Sequence, residues 1–175
     1  MKYFELFSLP IDFNIDLALL NQAYLQLQKA VHPDKFAHNS SKEQLLAVQM
    51  SAEINDALHV LKHPLKRAEY MLAERGVDIR AEQQTLQDPM FLMQQMELRE
   101  ELEDISSAND PEAAIEAFDK EIKTLENDFH QQLKALINQT ELAELERAAD
   151  IVRKLKFIYK LRDELERVED SLFND

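Results

Sequence analysis

The chain has 175 residues, 45 % hydrophobic and 31 % charged, a composition that excludes disorder and leaves room for one domain or two small ones. It contains no cysteine, which excludes disulfides, thiolate metal sites and a cysteine nucleophile, and which suits a reducing cytosol. Its net charge of -14 repels nucleic acid and anionic lipid, so neither is an expected partner.

The charge is uneven: residues 1–76 carry 8 Lys and Arg against 9 Asp and Glu, whereas residues 77–175 carry 12 against 25. A single glycine and few β-branched residues predict an all-α fold. The opening "MKYFELFSLP" has Glu5 inside its apolar patch and no small-residue cleavage site. No apolar run approaches the roughly 20 residues that span a bilayer. The expectation is a cytoplasmic protein.

In chain order, Tyr3, Leu6 and Leu9 predict a short opening helix stopped near Pro10. From about Asp16 to Val31, Leu20, Tyr24, Leu27 and Val31 recur at helical spacing and form one apolar face. His32-Pro33-Asp34 ends that helix, because proline lacks an amide donor and pushes the preceding residue out of helical conformation. A third helix runs from about Ser41 to Leu61, with Ala47, Met50, Ile54, Leu58 and Leu61 turned inward. His63-Pro64 breaks it, and a fourth carries Leu65, Ala68 and Leu72 to a glycine C-cap at Gly76.

The stretch "VDIRAEQQTLQ" has little apolar periodicity, which predicts a linker over 77–84 between an N-terminal domain, 1–76, and a C-terminal domain, 85–175. Asp88-Pro89 then caps a helix reaching about residue 105, and Asp110-Pro111 caps a second reaching about Ile137. Thr140 is the expected cap of a third, which continues to about Phe173 with Leu155, Ile158, Leu161, Leu165, Val168 and Leu172 near one stripe. Three amphipathic helices with short connections make an antiparallel three-helix bundle.

Winding "PMFLMQQMELREELEDI" at about 100° per residue puts Phe91, Leu98, Leu102 and Ile105 on one core stripe. Leu92, Met93 and Met96 fall nearly opposite, with Arg99 and Glu100 among them. Either the helix is sandwiched between both neighbours, or this second face is a docking surface of apolar anchors and adaptable methionines. The basic run Arg153, Lys154, Lys156, Lys160 and Arg162 is expected to be a solvated helix face balanced by Glu164, Glu166 and Glu169, or else a rim for an acidic partner or for the N-terminal domain itself. His59 and His63 have the spacing of two metal-binding imidazoles, but no third ligand is near in sequence, so no metal is expected. No phosphate loop, H-E-x-x-H or other catalytic motif occurs; neither an enzyme nor a cofactor is expected.

The motif Tyr3-Phe4-x-Leu6-Phe7-x-Leu9, the loop His32-Pro33-Asp34-Lys35, the segment Ile54-Asn55-x-Ala57-x-x-Val60-Leu61 and the segment Pro64-Leu65-x-Arg67-Ala68-x-Tyr70 together resemble the J-domain of DnaJ-type co-chaperones. The resemblance implies that the loop His32, Pro33 and Asp34, flanked by Lys29 and Lys35, and the helix that precedes it dock on the ATPase domain of a DnaK-type chaperone and stimulate ATP hydrolysis. J-domains usually carry a basic second helix; here the corresponding exposed positions include Asn21, Gln22, Gln26 and Gln28. With "FLMQQMELREELEDI" and "ADIVRKLKFIYKLRDEL", essentially the whole chain resembles the HscB family of iron–sulfur cluster co-chaperones. That resemblance implies an HscA-type ATPase chaperone as one partner and an IscU-type scaffold as the other. The scaffold would be held by Leu92, Met93, Met96, Glu97, Arg99, Glu100 and Phe157. A general DnaJ-type co-chaperone for unfolded clients is the alternative.

Overall fold

The computed structural model describes residues 1–82 and 88–174, and among them every regular element is a helix. The chain divides into two compact units, Met1–Asp78 and Ile79–Asp175. The first contains α1 (Lys2–Leu6), α2 (Leu17–Val31), α3 (Ser41–Lys62) and α4 (Pro64–Glu74). The second contains α5 (Pro89–Asp104), α6 (Pro111–Ile137) and α7 (Leu142–Phe173). No helix among the described residues is long and apolar enough to cross a membrane.

In the first unit, local chemistry sets the helix ends. The Asp16 carboxylate accepts from the amides of Ala18 (2.9 Å) and Leu19 (3.2 Å) to start α2. Ser40 and Glu43 form a capping box at the start of α3, and Pro64 opens α4. Gly76 has φ +94, and the Gly76 and Val77 amides donate to the carbonyls of Ala73 and Leu72, so the expected glycine stop of α4 is a Schellman cap.

Phe4, Phe7, Leu20, Ala47, Ile54, Leu61, Met71 and Leu72 are buried in this unit. Tyr70 ties α1 to α4: its ring stacks on Tyr3 at 4.6 Å and its hydroxyl accepts from the Tyr3 amide at 3.0 Å. Arg67, itself buried, donates to the Leu61 carbonyl and lies over the Phe13 ring.

Two expectations for this unit need correction. Met50 is exposed rather than inward; the stripe that α3 buries consists of Ala47, Ile54, Ala57 and Leu61. Lys2 of α1 pairs with Glu53 of α3 at the surface. Gln28 is half-buried, not part of the open face of α2. Its side chain donates to Asn55 Oδ1 (2.8 Å) and the Ser51 carbonyl (3.2 Å), and accepts from Ser51 Oγ (2.9 Å).

The second unit is an antiparallel three-helix bundle. Residues 138–141 turn α6 directly into α7, and Phe118, Ile122, Phe129, Leu133 and Ile137 of α6 are buried, as are Leu145, Val152, Leu155, Ile158, Leu161 and Leu165 of α7. Helix α5 buries Phe91, Leu98 and Leu102 and passes into a 3-10 turn, Ile105–Ser107. Val168 and Leu172, expected near the stripe, are only half-buried at its end. The α7 cap is Glu141, without a side-chain cap bond, rather than Thr140.

The expected linker also divides differently. Ile79 is buried and both carboxylate oxygens of Glu82 engage Arg153 at 2.9 Å, so residues 79–82 belong to the second unit. The rest of that linker, 83–84, and the first residues of the expected C-terminal domain, 85–87, lie outside the described residues.

Candidate functional site

The first candidate surface is the tip where α2 ends. Pro33 follows the extended ψ of 129° at His32 and opens a 3-10 turn, Pro33–Phe36, in the connection between α2 and α3. The His32 carbonyl accepts from the Lys35 amide at 3.0 Å, and its Nδ1 accepts from the Asp34 amide at 3.3 Å. With Nδ1 an acceptor, the neutral imidazole carries its proton on Nε2 and offers that N–H as a donor. The Asp34 carboxylate is 92 % exposed, with one oxygen 3.5 Å from His32 Nδ1. The tip therefore presents a donor, a stiff proline and an open carboxylate in one turn. Lys29 and Lys35 are exposed beside it.

The second candidate surface lies on α5. Its apolar residues divide as the winding predicts: the core stripe is buried, whereas Leu92, Met93 and Met96 are 37, 63 and 72 % exposed. The helix is thus packed on one side only, and the sandwiched alternative is not what forms. Glu97 and Glu100 are exposed on the same open side.

Arg99 donates to Glu164 Oε2 of α7 at 2.9 Å and lies 5.4 Å over the ring of Phe157. Phe157, whose position in the stripe the sequence leaves open, is half-buried and meets Phe91 edge to face at 5.7 Å. Arg99 and Phe157 are therefore brought together.

Beside this face is an open hollow of about 540 Å³ lined by Met90, Phe91, Met93, Glu97, Phe129 and Lys154. Lys154 lies over the rings of Phe91 and Phe129 and pairs with the Asp88 carboxylate at 3.2 Å. The Asp88 carboxyl is held below its usual range, first by the Phe91 amide it caps and then by Lys154. Sequence reasoning missed this hollow because its walls come from three helices. Asp88 was legible only as a cap and Lys154 only as one of a basic run.

The counter-ions of that run also differ from the expectation. Arg153 pairs with Glu82 and Asp150, Lys154 with Asp88 and Arg162 with Glu126, while Glu164 is engaged by Arg99. The imidazoles of His59 and His63 meet edge to face at 5.3 Å, and no cluster of three metal-ligating side chains occurs among the described residues.

A four-helix unit with a His-Pro-Asp tip between α2 and α3, followed by a three-helix bundle with an open apolar face, defines the class: a two-unit J-domain co-chaperone. A family model described as the HSCB C-terminal oligomerisation domain matches residues 87–166. The chain is 55 % identical to a co-chaperone protein HscB homolog of Vibrio atlanticus, over 98 % of this chain and 99 % of that one. It is 53 % identical to a homolog of Photobacterium profundum, over 99 % and 100 %. Among solved structures, chaperone HscB from Vibrio cholerae superposes with a TM-score of 0.91 at 54 % identity, over 98 % and 99 % of the two chains. Human co-chaperone protein HscB gives 0.84 at 28 % identity, over 95 % and 81 %. The chain belongs to the HscB co-chaperone family.

Proposed function

We propose that this protein is a cytoplasmic co-chaperone of iron–sulfur cluster assembly that brings an IscU-type scaffold to an HscA-type ATPase chaperone. One observation carries the reading: a single chain of this family presents two separate open surfaces, an exposed His-Pro-Asp tip and an apolar face on a different unit. At the tip, Asp34 offers its carboxylate to a partner cation, an arginine fork being the strongest match. The Nε2–H of His32 adds a directed donor, and Pro33 lowers the ordering cost of binding. On α5, Leu92, Met93 and Met96 supply apolar contact, with Phe157 behind them, and Glu97, Arg99 and Glu100 set orientation at the border.

A chain holding both partners raises the concentration of each near the other without further contacts. ATP hydrolysis is then the chaperone's chemistry, and this chain breaks no bond. In a steady-state ATPase assay with a purified HscA-type chaperone, His32→Gln is expected to abolish stimulation while leaving the circular dichroism spectrum unchanged. Retained stimulation contradicts the docking role of the tip. Preferential binding of denatured proteins, with no preference for the scaffold, would instead support a general DnaJ-type co-chaperone.

A further inference from the structure

Leu25 of α2 lies outside the core of the first unit. Winding at about 100° per residue sets it about 140° from the buried Leu20 and nearly opposite the half-buried Leu27. Its side chain is 65 % exposed. It shares one side of the helix with Lys29 and His32, at i+4 and i+7, and so lies about 10 Å along the axis from the His-Pro-Asp tip.

The surroundings of Leu25 carry little charge. Lys29 is the only cation in Leu17–Val31, and the neighbouring exposed residues Asn21, Gln22 and Gln26 are uncharged. Tyr24 and Gln28 turn toward α3, where both bond to Asn55. An open leucine is thus the largest apolar feature of the side of α2 that leads into the tip. With one cation on the helix, Lys29, and one beside the tip, Lys35, this surface gains little from long-range attraction and depends on contact, where buried apolar anchors carry most of the energy.

We propose that Leu25 is an apolar anchor for the ATPase chaperone, seated in an apolar recess of its surface and setting specificity for that chaperone. The inference rests on the docking role of the His-Pro-Asp tip proposed above. The occupant follows from continuity: a protein that contacts His32 and Asp34 and extends along α2 covers Lys29 and then Leu25.

The test is the same ATPase assay with the full chain and a purified HscA-type chaperone, titrated with salt, using Leu25→Ala, Leu25→Lys and His32→Gln. Leu25→Ala is expected to raise the half-maximal concentration about tenfold with unchanged thermal melting, because the side chain is exposed. Leu25→Lys is expected to stimulate no better than Leu25→Ala at any salt concentration; a gain at low salt that rising salt removes would show that this position meets a charged surface and would overturn the anchor. If His32→Gln is silent but Leu25→Ala matches the parent protein, the anchor is overturned and the tip's role stands. If His32→Gln still stimulates, the docking role fails and the anchor with it. A Leu25-dependent self-association by sedimentation, with normal ATPase stimulation, would also overturn the proposal by assigning this face to a second copy.

Discussion

At the seam between α2 and α3, Gln28 makes three hydrogen bonds to Ser51 and Asn55, using both amide protons and its carbonyl oxygen. Gln28→Ala is expected to destabilise the first unit by about 1–2 kcal/mol in urea unfolding followed by circular dichroism, since partly buried partners lose their bonds. Gln26→Ala, on the exposed side, is expected to change it by less than about 0.5 kcal/mol. Equal effects would show that the seam network contributes nothing. Sequence alone assigned Gln28 to the open face because glutamine is usually solvated, and its partners lie 23 and 27 residues away. Phe157 was undecided for the same reason. Its neighbours Phe91 and Arg99 come from another helix, and only packing brings them to it.

At the scale of elements, helix starts marked by Asp-Pro were legible to the residue, as at Pro89 and Pro111, because the cap and the missing amide act locally. The start of α7 was not, since Glu141 makes no side-chain cap bond and the bundle sets the boundary instead. The pairing of α5 with α6 brings Glu101 against Glu121 beside a hollow lined by Ile105 and Phe118. Partial desolvation first, then the charge of the neighbouring Glu121, hold the Glu101 carboxyl above its usual 4.5. A raised folded-state pKa favours the neutral acid, so its stabilising contribution is present below about pH 4.5 and is lost as pH rises through the raised value. Glu101→Gln is therefore expected to melt higher than the parent protein at neutral pH, with the gap closing as pH falls toward 4.5. A gap that is constant with pH would contradict this.

At the scale of the molecule, the near-neutral unit carries the tip and the acidic one the α5 face, so the proposed division of work follows the division of charge. The class was legible because short motifs and apolar periodicity are local properties of the chain. The limit of the second unit was not, because Ile79 and Glu82 sit in a stretch without periodicity and are tied in by burial and by Arg153. The central claim is that one chain couples the two surfaces, and the most direct measurement is ATPase stimulation of an HscA-type chaperone by the full chain with and without an IscU-type scaffold. The account predicts greater than additive stimulation when both are present. It predicts that Leu92→Ala with Met96→Ala removes that excess while leaving scaffold-free stimulation and thermal stability unchanged, since both side chains are exposed. Additive stimulation in the parent protein, or an excess that survives the double substitution, would contradict it.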